Sequence, residues 1–259
     1  MSDDILTLPP PPADLRIVYG SDPNQFADLR LPKGGGAPHP FVMNIHGGFW
    51  RAKYDLAHAG HLCAALTALG IATANLEYRR VGNPGGAWPG TFADIRSAYR
   101  FFQQNAVKHG LDGSKFLAMG HSAGGQLALC LAGHEASVSR VVSLAGVSDL
   151  QRAYQLHLSS DAVVEFMRGT PSDVPDHYSE ADPVRLPIPG AQQWFIHGAA
   201  DDVVPPAFSR DYVELKRKGK EQVHLLEIPG AGHFDLIDPH AKAWSQVAQT
   251  VRQMLGMVA

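Results

Sequence analysis

Lys115-Phe116-Leu117-Ala118-Met119-Gly120-His121-Ser122-Ala123-Gly124-Gly125 is the stretch whose reading settles the architecture. An apolar run, Lys115 to Met119, reads as a strand, and from Ala123 to Gly133 the pattern is helical and begins with small residues. Between them stand glycines two positions either side of Ser122. A tight strand-to-helix turn needs glycine there, because the backbone is strained and a Cβ would collide with neighbouring chain. Gly125 keeps the same approach close. A plain glycine turn with a helix-capping serine is the bland alternative, and the strand and helix on either side argue against it.

Outward from this turn, strand-like and helix-like segments alternate. Upstream lie an edge strand pair (Leu15 to Tyr19, Phe26 to Leu31), a buried strand Phe41 to Ile45, a helix Ala57 to Leu69, a strand Ala72 to Tyr78 and a helix Thr91 to Lys108. Downstream come strands Arg140 to Leu144, Gln193 to Ile196 and Val223 to Ile228, a helix Pro206 to Lys218, and a closing helix from about Pro239 to Met257. Parallel strands need crossover connections, so the alternation predicts an α/β fold with a mostly parallel sheet and helices on both faces. Functional groups belong at the carboxyl ends of its strands. The rhythm breaks between Ala145 and Gln193, where helical patterns near Leu150 to His157 and Ala162 to Met167 are followed by prolines at 171, 175, 183, 187 and 189. We read residues 147–190 as a small cap-like insertion, 1–14 as an N-terminal extension, and 15–259 as a single domain.

The 259 residues are 45% apolar and 18% charged, which permits a large core and excludes wholesale disorder. Net charge is −3 with no run of one sign, so neither nucleic acid nor an anionic membrane is an expected partner. Cys63 and Cys130 lie in apolar helical stretches, as buried thiols do in a reducing compartment. The Ser-Asp-Asp start followed by Pro9 to Pro12 lacks the basic and apolar regions of a secretory signal, and no apolar run reaches the roughly 20 residues of a membrane span. The expectation is a cytoplasmic monomer or homodimer.

A serine hydroxyl is a weak nucleophile at neutral pH and needs a base within hydrogen-bond reach and a carboxylate to orient that base. Of thirteen histidines, His233 is the candidate base, because Pro229-Gly230-Ala231-Gly232-His233-Phe234 is a glycine-rich loop after the last strand. For the acid, Gly198-Ala199-Ala200-Asp201-Asp202 follows the preceding strand; the glycine turn brings Asp201 back over the strand end and directs Asp202 elsewhere. Asp235 and Asp238 are too near His233 in sequence, and Asp149 is a weaker competitor. Negative charge on a tetrahedral intermediate calls for backbone amides in a turn facing the nucleophile. His46-Gly47-Gly48-Phe49-Trp50 supplies one, so Gly48, Phe49 and Ala123, with Gly47 in reserve, are the candidate oxyanion donors.

Together, His46-Gly47-Gly48, Gly120 to Gly125, Gly198 to Pro205 with Asp201, and Gly232-His233-Phe234 resemble the α/β-hydrolase superfamily over nearly the whole chain from Leu15. His-Gly-Gly-x-Trp looks like the arylformamidase branch and small bacterial carboxylesterases; a third glycine is missing where Phe49 stands, unlike the hormone-sensitive-lipase branch. The resemblance implies the α/β-hydrolase fold, an acyl-enzyme mechanism on Ser122, Asp201 and His233, and a small-molecule ester as substrate. An N-formyl arylamine is the alternative, and a peptidase or a non-hydrolytic receptor stands behind it. No cofactor and no metal are expected: His58 and His61, three apart, read as solvent-facing helix positions. Trp50, Trp88, His121, Leu150, Tyr154 and Phe234 fall near strand ends or in the cap and are candidates to line the substrate pocket, with anchoring to the core as the competing account.

Overall fold

The computed structural model describes residues 4–257. Eight strands, β1 (Leu15–Val18), β2 (Phe26–Arg30), β3 (His39–Ile45), β4 (Ala72–Leu76), β5 (Leu111–His121), β6 (Arg140–Leu144), β7 (Gln192–Gly198) and β8 (Val223–Ile228), form one sheet in the order β1-β2-β4-β3-β5-β6-β7-β8. The first two strands form an antiparallel edge, β2 runs antiparallel to β4, and every pairing from β4 to β8 is parallel. Side chains alternate across the pleat. Phe41, Met43 and Ile45 of β3 enter one core and Val42 the other, as Phe116 and Ala118 of β5 oppose Leu117 and Met119.

Each face is closed by helices that supply matching apolar stripes. Helices α2 (Gly90–Asn105), α3 (Ala123–His134) and α7 (Ala207–Lys218) bury Ile95, Leu127 and Phe208 in the first core. Helices α1 (Gly60–Ala68) and α8 (Trp244–Met254) bury Leu62, Leu66, Val247 and Val251 in the second. The closing helix starts at Trp244 and not near Pro239, because Asp238 accepts the His240 amide at 2.8 Å and its carbonyl takes Ala241 N, turning the chain there. Cys63 and Cys130 are both buried and free, and among the described residues no helix is long and apolar enough to cross a membrane.

Between β6 and β7 the chain makes three short helices, α4 (Leu150–Gln155), α5 (Ala162–Met167) and α6 (Pro175–Ala181). The third was not expected from the prolines. Pro175 opens it at a first-turn position, where a missing N–H costs nothing. The segment is bonded to the sheet body: Phe166 O accepts Trp88 N at 2.8 Å, and Gln126 Nε2 of α3 donates to Ala181 O at 2.9 Å. In the N-terminal segment, a single helical turn at Asp4–Leu6 sinks Ile5 into the second core. Residues 1–3 of the expected extension lie outside the described residues.

Candidate active site

Ser122 joins β5 to α3 with φ 56° and ψ −120°, a region that side chains other than glycine rarely occupy and that costs on the order of 1–3 kcal/mol. The surroundings hold it there. Its amide donates to Leu144 O of β6 at 2.8 Å, and its carbonyl accepts Gly125 N at 2.9 Å. A Cβ on Gly124 would lie 2.0 Å from Ile45 O, so the glycine after the turn is demanded by the close approach of α3 to the end of β3. The spacing seen in the sequence is therefore a packing requirement.

Asp201 follows β7 through a turn in which its own amide donates to Gly198 O at 3.2 Å. Its carboxylate is saturated with donors. Oδ1 accepts Val203 N at 2.9 Å and Val204 N at 2.8 Å; Oδ2 lies 2.7 Å from His233 Nδ1 and 3.2 Å from His197 Nε2. Burial favours the protonated acid, but hydrogen bonds from His197 and His233 outweigh it and hold the carboxyl well below the usual range. An ionised carboxylate only accepts, so His233 Nδ1 carries a proton and donates it to Asp201, which leaves Nε2 as the ring nitrogen turned away from the acid. Asp202 is exposed. Asp235 accepts Gly232 N at 2.7 Å and Asp149 caps α4 by accepting Arg152 N at 2.8 Å, so both have local structural work.

His233 sits on the loop after β8, and its backbone is gripped from the nucleophile side. His121 Nε2 donates to the His233 carbonyl at 3.0 Å, and the two rings stand 4.5 Å apart. Burial pushes His121 well below the ordinary imidazole range, with the neighbouring His233 adding to the effect, so His121 is a neutral donor. The residue before the serine thus ties the loops of Ser122 and His233 together.

The turn after β3 carries three consecutive residues with positive φ, Gly48 (110°), Phe49 (49°) and Trp50 (57°). It abuts the serine: a Cβ on Gly47 would fall 3.0 Å from Ser122 Cβ and 2.9 Å from His121 O. Among the described residues no protein acceptor takes the backbone N–H of Gly47, Gly48, Phe49 or Ala123. Successive amides in such a turn form an anion-binding concavity. Behind it a buried network fixes the strand end: His46 Nδ1 bonds Gly47 O at 2.7 Å, His46 Nε2 lies 3.2 Å from Glu77 Oε1, Tyr78 OH donates to His46 O at 2.8 Å, and Arg80 pairs with Glu77 at 2.9 Å.

A cavity of about 300 Å³ opens over these groups, lined by Ser122, His233, His121, Gly48, Phe49 and Phe234 together with Leu6, Tyr54, His58, Ser159 and Val203. Four expected pocket residues are not on that wall. Trp50 is 1% exposed, stacks on Phe166 at 4.6 Å and donates Nε1 to Gln126 Oε1 at 3.0 Å, contacts that hold the ring in the core. Trp88 stacks on Phe92 at 5.3 Å, Leu150 is wholly buried at the start of α4, and Tyr154 packs half-buried against the core. Conversely, His58 is not solvent-facing: it borders the cavity, its ring meets His46 edge-on at 5.6 Å, and burial pushes it down to about 3. A histidine before the first regular turn of α1 gives no periodic signal of which way it faces. Among the described residues no group of three His, Cys, Asp or Glu side chains is placed to hold a metal ion.

Chemically, the arrangement offers an oriented imidazole, a hydroxyl on a strained turn and unpaired amides around one small cavity. Known proteins with similar chains bear on it. Residues 27–215 match the family model described as BD-FAE. The chain is 29% identical to Esterase LipC of Mycobacterium tuberculosis over 86% of its length and 60% of that protein's. It is 26% identical to the isoprenylcysteine alpha-carbonyl methylesterase ICME of Arabidopsis thaliana over 85% of its length and 56% of that protein's. It therefore spans somewhat over half of each of these relatives. Among solved structures, a truncated carbohydrate esterase from gut microbiota superposes with a TM-score of 0.81 at 22% identity, covering 95% of this chain and 99% of that one. With the strand order and the serine turn described above, the chain belongs to the BD-FAE family of the α/β-hydrolase superfamily.

Proposed function

We propose that this protein is a serine carboxylesterase that cleaves esters of a small or medium acyl group. The observation that carries the reading is the 2.7 Å Asp201–His233 bond on the rim of a cavity that also exposes Ser122 from a strained turn. In this scheme His233 Nε2 takes the Ser122 hydroxyl proton as Oγ attacks the carbonyl carbon. The oxyanion that forms is held by amides of Gly48, Phe49 and Ala123, with Gly47 beside them, which have no other protein acceptor. The C–O bond to the alcohol breaks, His233 returns the proton to the leaving oxygen, and a water activated by the same imidazole hydrolyses the acyl-serine. Asp201 stays ionised throughout and keeps Nδ1 protonated.

The ester preference is supported by the names of the relatives and by the size of the cavity, whose apolar wall includes Leu6, Phe49, Val203 and Phe234. The small-molecule ester is the only partner the reading requires. Incubation with a fluorophosphonate is expected to add one phosphonyl group to Ser122 and none to Ser122→Ala; an unmodified Ser122 in folded protein overturns the proposal. A kcat/KM at least tenfold higher on N-formylkynurenine than on a short-chain aryl ester, about 1.4 kcal/mol of differential transition-state binding, replaces esterase by formamidase.

A further inference from the structure

Asp201 is shared between two imidazoles, and the second has no part in the scheme above. His197 lies at the end of β7, wholly buried. Its Nε2 faces two acceptors, Val204 O at 2.9 Å and Asp201 Oδ2 at 3.2 Å, while Nδ1 lies 2.6 Å from the hydroxyl of Ser209, a buried residue of α7. A backbone carbonyl and an ionised carboxylate cannot donate, so the proton must sit on Nε2. With Nε2 protonated, a neutral ring leaves Nδ1 as the acceptor, and the Ser209 hydroxyl is its donor. The chain of contacts then has one direction: Ser209 O–H to His197 Nδ1, His197 Nε2–H shared between Val204 O at 2.9 Å and Asp201 Oδ2 at 3.2 Å, with His233 Nδ1–H arriving at the same carboxylate oxygen.

We infer that His197 is a positioning residue for the catalytic acid: polarised by Ser209, its Nε2–H fixes the rotation of the Asp201 carboxylate and takes a share of the charge on the oxygen that faces His233. Geometry supports each part. Oδ1 is pinned by two backbone amides in the turn after β7, but without His197 the face of Oδ2 away from His233 has no donor. A carboxylate oxygen with a second N–H turned partly toward it is less basic than one without, so His197, whose Nε2–H is shared with Val204 O, restrains how strongly Asp201 stabilises a proton on His233. The inference rests on the esterase reading, since it assigns a role to a neighbour of the proposed triad.

The charged and titratable neighbours on every side are few. His233 faces Asp201 from the β7 turn, His121 from the end of β5 and His58 from the segment before α1. His197 faces Asp201 and, from β8, the field of Glu227, which is held by Arg210 of α7 at 2.5 Å. None of these others donates to Asp201 Oδ2.

The test is the pH profile of fluorophosphonate labelling of Ser122, which needs an unprotonated His233 and no knowledge of the natural ester. His197→Leu removes one donor, leaves more charge on Oδ2 and favours a proton on His233, so the acid limb of the labelling rate is expected to move to higher pH by roughly half a unit to one unit. His197→Gln, whose amide can replace Nε2–H, is expected to return the limb toward the parent value. A limb that stays put or moves to lower pH in His197→Leu overturns the inference, because loss of order alone weakens the Asp201–His233 contact and has the opposite sign. Should His197→Leu not fold, Ser209→Ala is read in the same way: a smaller upward movement supports the chain of bonds, and no movement refutes it. Wild-type protein that is not labelled at any pH refutes the esterase reading instead, which keeps the two failures apart.

Discussion

Asp201, on the rim of the candidate active site, and Asp182, inside the segment between β6 and β7, both have side chains with no exposure, yet their carboxyls are driven in opposite directions. Asp201 is held well below the ordinary carboxylate range. Asp182 is pushed up to about 7, by burial first and by the nearby Asp149 charge, against the opposing pull of backbone amides at the start of α4. Burial disfavours the anion in both places, so the difference lies in donors. Asp201 Oδ1 takes two backbone amides, and Oδ2 takes His233 Nδ1 with His197 Nε2 3.2 Å away. Asp182 Oδ1 accepts Leu150 N at 3.0 Å, while Oδ2 has no hydrogen-bond partner and Arg185 Nε stands 3.9 Å away. One carboxyl is built to stay charged and the other is closed in without enough donors to do so.

The largest effect that can break this comparison is on turnover. Asp201→Asn keeps the shape but puts an amide N–H2 or a weaker acceptor against His233 Nδ1, which favours the wrong tautomer; kcat on a short-chain aryl ester is expected to fall by about 10⁴-fold with folding retained. Asp182→Asn, equally buried but not on the cavity wall, is expected to leave kcat within about threefold. Comparable losses in the two variants, measured by steady-state kinetics on folded protein, remove the distinction between a functional and a structural carboxylate.

Stability against pH sharpens the same contrast. Asp182 holds its proton in the folded state up to about 7, against 3.8 for an ordinary aspartate, so its contribution to stability is complete below about pH 4 and is lost as pH rises through 7. Asp201, held below the ordinary value, contributes above that value and loses its contribution as the solution is acidified through its lowered range. Asp182→Asn removes the alkaline loss. After allowance for the amide hydrogens that must then be buried, it is expected to stabilise the protein by about 2 kcal/mol at pH 8, or roughly 5 °C in Tm, with the gain shrinking toward pH 5. Thermal unfolding at the two pH values measures this, and an equal shift at both refutes the assignment of the raised carboxyl.

The candidate triad was legible in the sequence and most of its pocket was not, and the reason is the kind of constraint each obeys. Gly120, Gly124 and Gly198 are required by backbone contacts, since a Cβ on Gly120 or Gly198 would sit 2.1 or 2.3 Å from a carbonyl oxygen, and such requirements leave a local signature. That signature brackets Ser122 and points to the loops of Asp201 and His233. The direction in which a loop aromatic points depends on what the rest of the chain puts beside it. Trp50 directly follows the amides of the turn, but Phe166 and Gln126, more than seventy positions away, draw it inward. Leu6, Ser159 and the pair Tyr54 and His58 reach the cavity from three separate stretches of chain, none of which carries a local pattern that points to a pocket. The second imidazole on Asp201 was visible in Ile196-His197-Gly198, but only the turn back to Asp201 shows what it touches.

The smallest expected effect concerns Asp202, the neighbour that competes with Asp201 for the role of acid. Moving one residue along the turn reverses every condition that makes Asp201 special. Asp202 is exposed, whereas Asp201 is buried between Val203, Val204 and two imidazoles. An exposed charge that close is screened by solvent, so Asp202→Asn is expected to change kcat/KM by less than about twofold and stability by no more than about 0.5 kcal/mol. Measured beside Asp201→Asn in one buffer, it isolates position from composition, because the two variants make the same chemical change at adjacent residues. A loss in Asp202→Asn that exceeds the loss in Asp201→Asn would mean that the turn after β7 presents the other carboxylate to His233 during catalysis, and the contrast between Asp201 and Asp182 would then describe two structural groups.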